Sequence, residues 1–266
     1  MAVKKQKSER KVILTISVLI LFLLVLGGIR ILTNLSSVTI DSRVSDLKDY
    51  KEKHDKLNAT AWLKVPGTNI DYPVLKDSDE IKYEEDNIQY LWENGDLSKL
   101  NKINYVMGHN IMNLSNNPLI TEKNHVRFEQ LMSFTYLDFA KENEYVQLTI
   151  GDKDYLFKIF SVSYPDSFGV NSYNTEYVNT EDVENYINNS LKESIFKYDI
   201  DVNKDDTILS LITCTRMFNS SNQRNFKVDA RLVRKNEATR NYNVTKTEMY
   251  DEVEEQMKGE EKDEAV

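Results

Sequence analysis

Cysteine is almost missing from this chain of 266 residues: Cys214 stands alone. A single thiol can neither close an internal disulfide nor build a cysteine-rich zinc site, so both common ways of stapling a secreted domain are excluded. Proline, with 4 residues, and glycine, with 8, are scarce as well, which removes collagen-like and proline-rich architectures. Positive charge is outnumbered, 34 Lys and Arg against 43 Asp and Glu, for a net charge of -9. The body of the chain shows no concentrated basic face, so nucleic-acid binding is not expected. The acidic surplus is too diffuse to mark a calcium site. Against these absences, 40% of the residues are hydrophobic, enough for a folded core in one ordinary domain with appendages or in two small ones.

Both ends of the chain read as appendages. Residues 1–11 carry Lys4, Lys5, Lys7, Arg10 and Lys11. Residues 12–29 are apolar except for Thr15, Ser17 and two glycines, and at about 1.5 Å per residue such a run reaches across a hydrocarbon core of about 30 Å. The expectation is a retained single-pass signal-anchor over 12–32, with the N-terminus in the cytoplasm and the rest outside. Cleavage near Gly27 or Gly28 would instead release the protein. Residues 33–60 form a linker and an N-terminal helix, since Val44, Leu47, Tyr50 and His54 recur at helical spacing; His54 reads as a helix-face residue. Residues 236–266 lose apolar periodicity and end in mostly acidic charge, which predicts a solvated tail without fixed structure.

Between these ends, strand signals dominate. In WLKVPGTNIDYPVL (62–75), Pro66-Gly67 makes a turn, and Ile70, Tyr72 and Val74 alternate. Residues 103–107, 145–150 and 155–164 are β-branched and aromatic runs, the last two joined by hairpin chemistry over 151–154. Residues 208–213 suit a buried strand, and 226–233 alternate as the strand after it. A helix is expected over 180–197, with Thr180 as N-cap, Glu181 and Asp182 in its first turn, and Val183, Ile187, Leu191 and Ile195 on one face. The sum is a mainly antiparallel β body with a few helices, of barrel or sandwich type.

Cys214 is either packed or reactive. Free cysteine is often simply buried, yet Cys214 ends the apolar run ILSLIT and precedes the polar TRMFNSSNQR, where a buried strand surfaces. A nucleophilic thiol needs an acid or base and a group to stabilise an oxyanion. His109 lies in YVMGHN at the end of its strand, and Arg224 opens the strand after the Cys214 loop; antiparallel pairing there would bring Arg224 to the rim of Cys214. The other reading of Arg224 is a surface charge among the many carboxylates. His125 sits in a polar loop with no strand to hold it.

GHN, an apolar strand ending in TCT, an arginine ten residues after the cysteine, and the strand FKVDARLV together resemble a sortase. WLKVPGTNIDYPVL resembles the family's first strand region, and the two expected helices point to class B. The resemblance spans roughly residues 44–234. It implies a mainly β fold, a closed antiparallel barrel of about eight strands, with the catalytic domain over 61–235. It further implies a membrane-anchored cysteine transpeptidase of Gram-positive bacteria, its catalytic domain extracellular. In that chemistry Cys214 attacks the carbonyl after Thr in a C-terminal sorting signal, His109 serves as general acid and base, and Arg224 holds the substrate and the oxyanion. No metal or cofactor is implied. Partners would be surface-protein or pilin substrates, and the acceptor an amine of the cell wall or, in a pilin-polymerising enzyme, a lysine. Ile212, Thr213 and Thr215 are expected at the substrate groove. Ile212 departs from the pattern L-S-T-C by replacing its serine, the loop over 110–128 looks long, and 83–100 lacks a hairpin seen in relatives. A papain-like hydrolase is disfavoured because its cysteine would precede its histidine. A non-enzymatic, membrane-anchored binding domain with a packed Cys214 is the alternative from another class.

Overall fold

The computed structural model describes residues 17–19, 38–76, 91–94, 96–110, 128–165, 179–215, 217, 224–239 and 241–263. The chain divides into two compact units, Met1–Thr39 with Ala238–Asn241, and Ile40–Glu237 with Tyr242–Val266. In the first, residues 17–19 are helical, and the Val38 N–H donates to the Thr239 carbonyl at 3.3 Å and hydroxyl at 3.0 Å. No helix among the described residues is long and apolar enough to cross a membrane. All of the span expected over 12–32 except residues 17–19 lies outside the described residues.

The second unit is a closed barrel of eight strands: β1 (Ala59–Lys64), β2 (Asp71–Leu75), β3 (Leu91–Asn94), β4 (Ile103–Gly108), β5 (Tyr145–Ile150), β6 (Lys153–Ser163), β8 (Ile208–Thr215) and β9 (Arg224–Leu232). Around the barrel the order is β1-β2-β3-β4-β8-β9-β6-β5, with β5 returning to β1. Alternation along each strand sends Leu63, Val74, Val106, Leu148, Phe157, Leu211 and Val228 into one buried interior. Gly151 opens the two-residue turn between β5 and β6 at φ +60, where a β-carbon would be strained. The expected mainly β barrel is thus present, but it is not wholly antiparallel. The pairs β2–β3 and β4–β8 run parallel, and the second of these decides the geometry of the site.

Helix α1 (Val44–Lys53) buries Leu47 against Ala59 and Leu75. His54 lies just past its end, stacked on Tyr50 at 4.4 Å between ring centres. A 3-10 helix (Glu129–Thr135) and the short helix α2 (Leu137–Glu142) follow β4 in sequence. Helix α3 (Thr180–Glu193) covers the outside of the barrel, setting Val183 and Ile187 on Ile103, Tyr105, Met107, Phe160, Ile208 and Ile212. Its N-cap is Asn179, not Thr180: the Asn179 side chain accepts from the backbone N–H of Glu181 and Asp182, and Asp182 closes a capping box. The helix ends at Glu193, short of the expected 197. Phe196 and Tyr198 are buried on either side of exposed Lys197 as strand β7 (Phe196–Tyr198).

The expectation of a solvated tail over 236–266 is overturned for residues 244–263. Strand β10 (Val244–Lys246) pairs antiparallel with β7, and helix α4 (Met249–Asp263) follows. Val244, Tyr250 and Val253 are buried in the main core, and Met257 packs against it. Tyr250, Val253 and Met257 form an i, i+3, i+7 stripe, narrow enough to be submerged in the glutamates around it. The Tyr242 N–H also donates to both carboxylate oxygens of Glu144, at 2.9 and 3.1 Å.

Candidate active site

β4 and β8 pair in parallel from Ile103 with Ile208 to Met107 with Ile212. Two residues beyond that register on the two strands stand His109 and Cys214, so both arrive at the same rim. Past Met107 and Ile212, side chains take over the role of the backbone ladder. The Thr213 hydroxyl donates to the Gly108 carbonyl at 2.8 Å, and Asn110 Nδ2 donates to the Cys214 carbonyl at 2.9 Å. One clamp reaches from each strand to the main chain of the other, and His109 lies between the two clamped residues of its own strand. On the other side of β8, β9 runs antiparallel, with Cys214 opposite Asn225 and Thr215 opposite Arg224. Neighbouring strands lie about 4.8 Å apart, so Arg224 starts its strand one position from the thiol's partner. His109, Cys214 and Arg224, singled out in the sequence, therefore stand at the same end of the barrel.

Cys214, His109 and Arg224 are each partly exposed, while the residues beneath them are buried. Burial pushes the Cys214 thiol above its ordinary pKa and the His109 imidazole below its own. Both shifts disfavour the charged forms, so at neutral pH the resting pair is mostly thiol and neutral imidazole. Among the described residues no cluster of three or more His, Cys, Asp or Glu could hold a metal ion.

The three residues expected at the substrate groove are buried, Ile212 to 1%, Thr213 to 2% and Thr215 to 3% exposure. The Thr213 hydroxyl is spent on Gly108, and that of Thr215 accepts the Met217 N–H at 3.2 Å. Ile212 packs with Met107, Phe160, Val183 and Ile187 under helix α3. In this structure they build the floor of the rim. Ile212→Ser, which restores the serine of the family pattern, would leave a cavity and a buried hydroxyl there. A loss of about 3 kcal/mol in unfolding free energy is expected; an unchanged urea midpoint would contradict this packing.

A buried polar group behind the rim escapes sequence reasoning. Tyr186 on α3 donates to Asp229 at 2.7 Å, and Lys227 pairs with the other Asp229 oxygen at 3.1 Å. Lys227 also reaches the Ser190 hydroxyl at 3.2 Å and lies 4.8 Å over the Tyr186 ring. Burial, followed by the nearby Asp229 carboxylate, drives the Tyr186 pKa well up. These contacts tie α3 to the strand that begins at Arg224. A signal exists in the alternation of Asn225, Lys227, Asp229 and Arg231, polar residues on a strand face that α3 and its neighbours bury. Asn110 stands within the GHN motif, which gives it no role of its own. His125, the loop over 111–127, and residues 83–90 and 95 lie outside the described residues.

A closed barrel that ends one strand in a thiol and its parallel neighbour in an imidazole has the layout of a cysteine-dependent acyl-transfer enzyme. The Sortase domain family model matches residues 63–233. The chain belongs to the sortase family; it is class B-like, a cysteine transpeptidase of the sortase type. It is similar to the sortase B structure of Clostridium perfringens, with 31% identity and a TM-score of 0.58 over 70% of this chain and 99% of that one. Sortase B of Listeria monocytogenes is 26% identical over 184 residues, 64% of this chain and 68% of that protein. A sortase B crystallised with triglycine shares the fold, at 18% identity and a TM-score of 0.56 over 72% of this chain and 87% of that one.

Proposed function

We propose that this protein cleaves a C-terminal sorting signal of surface proteins after Thr and transfers the new acyl end to an amine of the cell wall. Cys214 as thiolate attacks the carbonyl carbon, the amide C–N bond breaks, and His109 protonates the departing amine. The resulting thioester is attacked by the incoming amine, whose proton passes to His109 as the Cys214 thiolate leaves. Arg224 holds the substrate backbone and stabilises the oxyanion, with a backbone N–H near Cys214, a contribution of a few kcal/mol. Asn-Pro-x-Thr-Asn-like signals are the first candidates. Residues 12–32 anchor the chain in the membrane, with the basic residues 1–11 in the cytoplasm and the barrel outside.

The observation that carries this reading is the pair of clamps across β4 and β8, which hold the segments bearing His109 and Cys214 to each other. The acceptor reading is supported by the sortase B complex with triglycine, since that peptide offers a primary amine. The test is incubation of the protein with a panel of fluorogenic sorting peptides and triglycine, followed by mass spectrometry. A thioester mass on Cys214 and a triglycine-capped product are expected. Absence of cleavage and of adduct across the whole panel would refute it.

A further inference from the structure

Two asparagines tie β4 to β8, and their hydrogen bonding differs. Asn104, near the start of β4, is 2% exposed. Its Nδ2 donates to the Asn101 and Ile208 carbonyls at 2.8 and 2.9 Å, and its Oδ1 accepts the Asn101 N–H at 2.8 Å. Every polar atom of that amide is satisfied, as expected of a side chain that serves the fold. Asn110, just past the other end of β4, is 4% exposed. Its Nδ2 donates to the Cys214 carbonyl at 2.9 Å, but its Oδ1 is buried and meets no hydrogen-bond partner among the described residues. A buried acceptor left unpaired lowers stability, and an apolar side chain of the same shape would avoid that cost. Asn110 is therefore poorly explained by stability. The atom it grips belongs to the residue that carries the thiol, and Asn110 itself follows His109 directly.

We propose that Asn110 is a positioning residue for the reaction, setting the Cys214 main chain against the end of β4 so that thiol and imidazole meet in reacting geometry. The inference rests on the transpeptidase reading of Cys214 and His109. The parallel ladder stops at Met107 and Ile212, and beyond it the Thr213 and Asn110 side chains carry β8 against its neighbour. Thr213 fixes Gly108, on the near side of His109. Without Asn110 the Cys214 carbonyl loses its tie to the end of β4, and the residue is left to its pairing with Asn225 on β9. Small displacements of a reacting atom lower rate while leaving binding of the rest of the substrate intact.

The test compares Asn110→Leu, which keeps the shape and removes the donor, with Asn104→Leu as a control for structural stitching. For Asn110→Leu the rate of thioester formation should fall at least about tenfold at an unchanged melting midpoint, with KM for the sorting peptide within about threefold. For Asn104→Leu the midpoint should fall while kcat per folded molecule holds. Asn110→Ser, which cannot overpack the site, replaces Asn110→Leu if that variant does not fold. An undiminished kcat in the folded Asn110 variant, or a loss of kcat that tracks a lowered midpoint as in a general loosening, would overturn the proposal. A wild-type protein that cleaves no peptide would instead strike the transpeptidase reading. Asn110 is then still read by iodoacetamide alkylation of Cys214, expected to run at least about threefold faster at pH 8 once the clamp is gone and the thiol reaches water. An unchanged alkylation rate would count against the clamp itself.

Discussion

Cys214→Ala is expected to abolish the thioester and lower peptide turnover by about 10⁴-fold or more, because the chain's single thiol forms the acyl intermediate. His109→Gln should cost about 10²- to 10⁴-fold, the range of a lost general acid and base. The pH dependence gives the sharper signature. With the thiol pushed up and the imidazole pushed down by burial, the reactive thiolate–imidazolium pair carries the same proton count as the dominant neutral pair. The wild-type kcat/KM should therefore trace a broad bell. Its acid limb should lie below the ordinary histidine value of about 6.5, where both groups are protonated, and its basic limb above the ordinary thiol value of about 8.5, where both are deprotonated. His109→Gln should abolish the bell: with only the thiol left to ionise, its residual rate should rise toward high pH as the thiolate forms and not fall again. Stopped-flow turnover across pH 5–10 reads both, and a narrow bell centred on pH 6 would contradict the assignment.

A chain ending at residue 241 is expected to lose about 5 kcal/mol of unfolding free energy. Val244, Tyr250 and Val253 leave the core, and burial of each such side chain is worth about 1.5–3 kcal/mol. β7 loses its strand partner in the two-stranded sheet, and Glu144 loses the Tyr242 N–H that its carboxylate accepts. A typical domain has about 5–15 kcal/mol in all, so the truncated barrel should unfold at much lower urea or fail to accumulate. An unchanged urea midpoint would return residues 242–263 to the status of a tail. These residues lie beyond the Sortase domain match, which ends at 233, so this chain's barrel relies on an addition that the family match does not include.

Cys214 and Arg224 are ten residues apart on consecutive strands, and such a pair can hardly do otherwise than pair antiparallel, so their shared rim is readable. The β5–β6 hairpin is readable for the same reason, with its turn written in Gly151-Asp152. The C-terminal helix is not, because its buried stripe is three residues wide amid glutamates, and only contact with the barrel end distinguishes a docked helix from a solvated one. Ile212 looks like an altered groove residue because strand alternation tells which face it shares with Cys214 but not that α3 covers that face.

The sequence by itself determined most of the barrel strands, though not β3, β7 or β10, together with the turn chemistry, the lone thiol at the end of a buried run and the candidacy of His109 and Arg224, all of which depend on residues near one another in the chain. Only the tertiary structure decided that β4 and β8 run parallel. In a wholly antiparallel barrel, adjacent β4 and β8 would put His109 and Cys214 at opposite ends. The parallel pairing joins segments about a hundred residues apart, and the clamps of Thr213 and Asn110 that secure it exist only once the two strands lie side by side. Periodicity in a single segment carries the burial of its faces. The direction of a distant neighbour is set by how the whole barrel closes.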